Sequence, residues 1–295
     1  MKVVLRTVVR VLFKPLLSSW VPLAVQRQGS RVASLLSKYP RGTVSTKLDM
    51  NGVPAVHLHT PAAEPDKAVL LLHGGAYVLG GPSSHAGLAA QLGQAAGAEA
   101  YVADYRLAPE HPYPAALDDA LAAYRWLLEH YEPGQLVIAG DSAGGNLTLA
   151  TAIAIRDAGL PLPAALALIS PWLDLTHSGE TIRTRARRDP MLNAPWLDIC
   201  AARYAGNIAP GDPRISPLFD ELKGLPPMLI HVGSEEILLS DSERLTQRAE
   251  AAGVDVGLHR FDGLWHDFQL HAGQLAEADA SIAELGQFMR KHWRS

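Results

Sequence analysis

The chain has a single cysteine, Cys200, so no disulfide can form within it, which is compatible with a reducing compartment. It lacks a strong excess of either charge. Twenty-six Lys and Arg stand against 30 Asp and Glu, a formal net charge of -4, which argues against a nucleic-acid partner. There is no internal repeat and no low-complexity tract, so repeat architectures are excluded. A membrane-spanning run is missing as well. The N-terminal segment is rich in Val, Leu and Phe, but Lys2, Arg6, Arg10 and Lys14 recur in it every four residues. A spanning helix needs about 20 largely apolar residues. A secretory signal needs an unbroken apolar stretch. These absences predict a cytoplasmic protein.

The chain does have bulk for a core: 295 residues, 48% of them hydrophobic. One domain with an insertion fits this length as well as two domains. From residue 43 onward, short apolar runs alternate with helical patterns. The runs are Val53–Leu58, Ala68–Leu72, Ala100–Val102, Gln135–Ala139, Ala165–Ile169, Met228–Val232 and Val256–Phe261. Such runs suit strands buried on both faces of a parallel sheet. The spacing predicts helices over Leu88–Ala96, Ala115–His130, Ala143–Ala158, Ser240–Ala252 and Glu277–Trp293. Gly97, Gly159 and Gly253 follow three of them at stop positions. Alternation of this kind predicts an α/β fold with a mostly parallel central sheet flanked by helices.

The alternation breaks between about residues 173 and 227. That stretch holds Arg183, Arg185, Arg187 and Arg188, then an amphipathic segment, Pro195–Tyr204. It is too long for an ordinary connection. With residues 1–40 it is expected to cover the C-terminal edge of the sheet, where open α/β sheets bind ligands. The expected division is therefore N-terminal cap helices in 1–40, a core in 41–172 and 228–295, and an inserted cap segment in 173–227. The basic stripe of residues 2–14 would lie along one face of a helix. That helix either packs on the body or rests on a membrane surface.

Gly140-Asp141-Ser142-Ala143-Gly144-Gly145 places a serine between small residues where an apolar strand turns into a helix. Such an elbow exposes the hydroxyl at the top of the sheet. It also puts the Ala143 N–H at a helix N-terminus, which favours negative charge. Upstream, His73-Gly74-Gly75-Ala76-Tyr77 follows another apolar strand, and its glycines can turn N–H groups inward. A nucleophile and an oxyanion site together imply acyl transfer. The hydroxyl needs a base, and His266 lies in a loop-like stretch after the last strand, giving the order serine, acid, histidine. The acid should follow Met228–Val232, where Glu235 and Glu236 are adjacent; Asp241 is a third candidate. His57 and His59 alternate on a strand but lack a third metal ligand. His130, His271 and His292 read as surface residues.

These residues resemble the hormone-sensitive-lipase-like branch of the α/β-hydrolases, the bacterial carboxylesterases, over roughly residues 40–290. His73–Tyr77 is similar to the family's His-Gly-Gly-Gly block. Asp104-Tyr105-Arg106-Leu107-Ala108-Pro109-Glu110-His111-Pro112-Tyr113-Pro114-Ala115-Ala116 is similar to its second signature, and Gly140–Gly145 to its elbow. The resemblance implies an α/β-hydrolase fold with a helical cap. It implies Ser142 as nucleophile, His266 as base, and Gly74, Gly75 and Ala143 as oxyanion donors. Ala76 replaces the third glycine, a departure associated in the branch with esters of bulky alcohols. Glu235 stands where the family has its acidic residue and Glu236 where it has proline, so the resemblance favours Glu235 as the acid. Tyr77, Trp196, Leu197 and Tyr204 would lie near the substrate.

The expected activity is hydrolysis of short- to medium-chain carboxylic esters through an acyl-enzyme, with no cofactor and no metal. A lactone hydrolase or a deacetylase would use the same triad. A non-catalytic ligand receptor of this fold would have lost the histidine, which is present here. The expected partner is a small ester. A membrane-surface contact through residues 1–20 and a homodimer are both compatible with the sequence.

Overall fold

The computed structural model describes residues 1–33 and 37–294. Eight strands form one sheet in the order β1-β2-β4-β3-β5-β6-β7-β8. They are β1 (Val44–Met50), β2 (Val53–His59), β3 (Glu64–Leu72), β4 (Ala98–Ala103), β5 (Leu136–Asp141), β6 (Ala165–Ile169), β7 (Met228–Gly233) and β8 (Val256–Phe261). The ladders from β4 to β8 are parallel, while β1 and β2 form an antiparallel edge. Every residue of β5 and β6 is buried, which explains their unbroken apolar reading. The alternating β1 is mostly exposed and was not legible as a strand, because its Ser, Thr, Lys and Asp bury little.

The helices are α1 (Lys2–Val8), α2 (Leu23–Ala33), α3 (Pro82–Ala96), α4 (Ala115–Leu128), α5 (Ala143–Asp157), α6 (Ala194–Ala205), α7 (Leu239–Ala251) and α8 (Ala276–His292). α3 begins six residues before the expected start, because Pro82 occupies its first turn and Gly81 its cap. Two apolar clusters fill the sides of the sheet. One gathers Leu70, Ile138, Leu147 and Trp172; the other gathers Leu71, Val137, Phe268 and Leu285.

The basic residues of α1 and the turns after it point at the protein body. Lys2 Nζ donates to the Asp262 carbonyl, Arg6 and Arg10 to that of Arg188, and Lys14 to those of Ala186 and Asp189. The large apolar side chains of Val3, Val4, Val11 and Leu12 on α1 and its continuation are exposed. Farther along, Trp196 Nε1 on α6 donates to Gln26 Oε1 on α2, and Asn193 Nδ2 donates to the Leu17 carbonyl. The N-terminal helices and the inserted segment are thus hydrogen-bonded to each other above the sheet. Arg27 of α2 also grips the loop after β4, with both guanidinium nitrogens 2.7 Å from the Glu110 carboxylate.

Candidate active site

β5 ends at Asp141, and α5 starts at Ala143. Ser142 between them has φ 53° and ψ -119°, a strained conformation for a residue with a Cβ. The turn is held by Ser142 N–H to the Ile169 carbonyl at 2.9 Å and by Trp172 N–H to the Ser142 carbonyl at 3.0 Å. Gly144 permits it: a Cβ there would sit 1.9 Å from the Leu72 carbonyl oxygen. The N–H of Ala143, as the first helical residue, has no acceptor within the helix.

His266 is buried, and its Nδ1–H donates to Glu236 Oε2 at 2.8 Å. Glu236 is fully buried and accepts two further bonds on Oε1, from Ser170 Oγ at 2.8 Å and Gly233 N–H at 2.7 Å. The expectation of Glu235 at this position is therefore corrected. Glu235 turns to the guanidinium groups of Arg6 and Arg188, each 3.4 Å away. Adjacent residues in this loop face opposite ways, and the deeper one reaches the imidazole. Asp241 lies in α7 and accepts from the N–H groups of Leu173 and Asp174, with no contact to His266. Burial pushes Asp241 up to about 7.

The acid and base loops are laced together. Glu235 N–H donates to the Leu264 carbonyl, and Gly263 N–H to Ser234 Oγ. Two residues the sequence did not single out support them. Ser170, at φ 44°, orients Glu236. Asp189, buried in the inserted segment, accepts from the N–H groups of Met191, Leu192 and Ile237. Their signals were only a Ser after a strand and an Asp in an irregular stretch.

The other face of His266 meets a second carboxyl group: Nε2 lies 3.0 Å from Asp267 Oδ2. Burial works against a charged His266, but Asp267 and Glu236 outweigh it and hold its pKa well above the ordinary value. Burial pushes Asp267 up to about 7 against the pull of His266. Nearby, Asp141 is buried; His85, 3.1 Å away, and the Gly74 N–H overcome that burial and keep its pKa low.

Gly75 has φ 120°, and a Cβ on it would lie 2.4 Å from the Leu79 carbonyl oxygen, so only glycine fits. Ala76 follows at φ 52°. The Gly74 N–H, expected as an oxyanion donor, is instead engaged by the Asp141 carboxylate, which corrects that expectation and leaves Gly75 and Ala76 as the next N–H groups of the loop. His73 anchors it from below: its ring stacks on Tyr105 at 4.1 Å, and Tyr105 Oη donates to the His73 carbonyl at 2.6 Å.

A cavity of about 180 Å³ connects these groups. Ser142, His266, Asp267, Gly74, Gly75 and Ala76 line it, with Leu5, Val9, Phe13 and Leu17 from the N-terminal segment and Met191, Leu192 and Trp196 from the insertion. Of the residues expected near the substrate, Trp196 lines this cavity. Tyr77, Leu197 and Tyr204 do not: all three are buried behind it. Tyr77 stacks on Tyr204 at 3.5 Å and donates to Asn146 Oδ1, which supports the elbow helix instead. His271, read as a surface residue, lines the cavity. His57 and His59 both contact Glu99, at 2.7 and 2.9 Å.

A serine at a strand-to-helix elbow, a carboxylate-bound histidine and a glycine-containing loop around one cavity are the arrangement of an acyl hydrolase. A sequence model described as "alpha/beta hydrolase fold" matches residues 69–270. The chain is 45% identical over 231 residues to an acetyl-hydrolase of Streptomyces hygroscopicus, covering 78% of this chain and 77% of that one. It is 38% identical over 277 residues to esterase LipU of Mycobacterium tuberculosis, covering 92% and 93%. Among solved structures, an esterase from the bacterial hormone-sensitive lipase family superposes with TM-score 0.95 at 39% identity, covering 99% and 98%. The esterase EstE5, soaked with p-nitrophenyl butyrate, gives TM-score 0.94 at 40% identity, covering 100% and 99%. The chain belongs to the α/β-hydrolase family and is a carboxylic ester hydrolase of its hormone-sensitive-lipase-like branch. No helix among the described residues is long and apolar enough to cross a membrane.

Proposed function

We propose that the protein hydrolyses short- to medium-chain carboxylic esters through a Ser142–His266–Glu236 triad and an acyl-enzyme. The observation that carries this reading is the shared cavity: Ser142 and His266 both line it, and His266 Nδ1 is held by Glu236. A donating Nδ1 leaves Nε2 as the basic nitrogen. Ser142 Oγ attacks the ester carbonyl as its proton passes to Nε2. Glu236 stabilises the imidazolium that forms. The oxyanion develops against the N–H groups of Gly75, Ala76 and Ala143, each worth about 2.7–4 kcal/mol in the barrier by comparison with known oxyanion donors. The imidazolium then protonates the leaving alcohol. Water, deprotonated by the same nitrogen, attacks the acyl-serine and frees the acid.

The size and lining of the cavity support the acyl range. At about 180 Å³ it is small beside typical ligand clefts of roughly 300–1,000 Å³. Its walls are mostly apolar, which suits an alkyl chain rather than a charged one. A second reading, removal of acetyl groups from acetylated compounds, draws on the similarity to the acetyl-hydrolase. The test is hydrolysis of p-nitrophenyl esters from acetate to palmitate, with lactones and N-acetyl compounds alongside. Turnover should peak at short to medium chains and vanish in Ser142→Ala. Undiminished turnover in that variant would sink the assignment.

A further inference from the structure

Three ligating side chains meet beside the strands that carry the acid and base loops, and the ester chemistry uses none of them. His231 is on β7, His259 on β8 and Glu284 on α8. Each offers one ligand atom, and the three atoms lie within 4.8 Å of one another. None of the three lines the Ser142 cavity.

His231 is fully buried, and its Nε2 has no hydrogen-bond partner. The nearest oxygen is Glu284 Oε2 at 3.7 Å, too long for a bond. A buried ring nitrogen left unpaired calls for an explanation. Its other nitrogen is fixed: Nδ1 meets Ser281 Oγ at 2.8 Å, and that hydroxyl also accepts from Gln269 Nε2 at 3.0 Å. This chain holds the ring with Nε2 towards Glu284, as outer-shell partners orient metal-binding histidines. His259 Nδ1 lies 2.7 Å from the same Glu284 oxygen.

We propose that His231, His259 and Glu284 bind one borderline divalent cation of the Zn²⁺ type, with water completing its shell. Two imidazoles and a carboxylate suit such ions better than Mg²⁺ or Ca²⁺. With bonds of about 2.0–2.2 Å, tetrahedral ligand atoms stand roughly 3.3–3.5 Å apart. The His259–Glu284 pair must open slightly from 2.7 Å, and His231–Glu284 must close slightly from 3.7 Å. The side chains of His259 and Glu284 are 45% and 41% exposed, so they can shift and leave the ion a route from solvent. The bound ion would staple β7, β8 and α8 together. β7 ends at Gly233, just before Glu236, and β8 ends just before the His266 loop, so the staple fixes the base of both. Its role is structural.

The full-length protein, stripped with a chelator, should be titrated with ZnCl₂ by calorimetry, with thermal melting followed in parallel. One equivalent should bind and raise Tm, and MgCl₂ should do neither. His259→Ala and Glu284→Gln, both at half-exposed positions, should weaken zinc binding by about tenfold or more. His57→Ala, in the separate His57–His59–Glu99 group, should leave it unchanged, and so should Ser142→Ala. Zinc uptake that is absent, or that is equal in His259→Ala, Glu284→Gln and wild type, would overturn the proposal.

Discussion

Glu236, and not its neighbour Glu235, accepts the hydrogen bond from His266 Nδ1–H, at 2.8 Å. Its other oxygen accepts from Ser170 and Gly233. A buried carboxylate is stable only when paired and hydrogen-bonded, and Glu236 is both. Glu235, with two arginines at 3.4 Å and its side chain 14% exposed, is an ion-pair residue at the cap.

The two variants should therefore separate cleanly. Glu236→Gln keeps the shape but can present an amide N–H to Nδ1, favouring the wrong tautomer. A loss of kcat approaching about 10⁴-fold is expected, as for the equivalent amide substitution in other triads. Glu235→Gln should change kcat by no more than a few-fold. Steady-state kinetics on a p-nitrophenyl ester checks both, and similar losses in the two would contradict the geometry.

Much of this was legible in the sequence and some was not, for physical reasons. Short apolar runs betrayed β5 and β6 because both faces of those strands are buried, and β1 stayed hidden because its side chains face water. The elbow was legible because only small residues fit at Gly144. The choice between two adjacent glutamates was not. It depends on how the loop after β7 turns against Leu264, which is a long-range contact. The resemblance pointed to Glu235 by alignment with an acidic position, whereas burial selects Glu236. Likewise the aromatic pair Tyr77 and Tyr204 suggested a pocket wall, but stacking on each other removes both from the cavity.

Asp189 ties the inserted segment to the acid loop. Its carboxylate accepts from Met191, Leu192 and Ile237, the last being the residue after Glu236. Asp189→Ala would leave three N–H groups unpaired, two of them buried at about 1–3 kcal/mol each before relaxation. A fall in stability of about 3 kcal/mol or more is expected, together with a lower kcat as Glu236 loses its register. Denaturant melts and kinetics on the same preparation measure the two effects. Unchanged values in both would show that the loop holds itself.

The N-terminal segment supplies Leu5, Val9, Phe13 and Leu17 to the cavity. Removing residues 1–20 should open the acyl site to water while sparing Ser142, His266 and Glu236. KM for short esters should rise by about tenfold or more, since roughly 0.8 kcal/mol is lost for each buried CH₂ of substrate left in contact with water. A chain-length series on the truncated protein reads this as a flattened preference. A profile identical to that of the full chain would mean that the inserted segment alone shapes the site.

Asp267 sets the pH at which His266 becomes a base. Its carboxyl group lies 3.0 Å from Nε2, the nitrogen that must accept the Ser142 proton. The imidazolium gains from Asp267 and Glu236 together, and its pKa is raised accordingly. Catalysis needs the neutral ring, so activity rises with pH as His266 loses its proton. In Asp267→Asn one of the two stabilising anions is gone while the side chain keeps its size. The His266 pKa must then fall, and the acidic limb of the kcat/KM profile must move to lower pH. Burial holds Asp267 itself up to about 7, so its titration is coupled to that of His266. A limb that stays in place would mean that Asp267 exerts no influence on Nε2 in the working enzyme, and that Glu236 alone tunes the base.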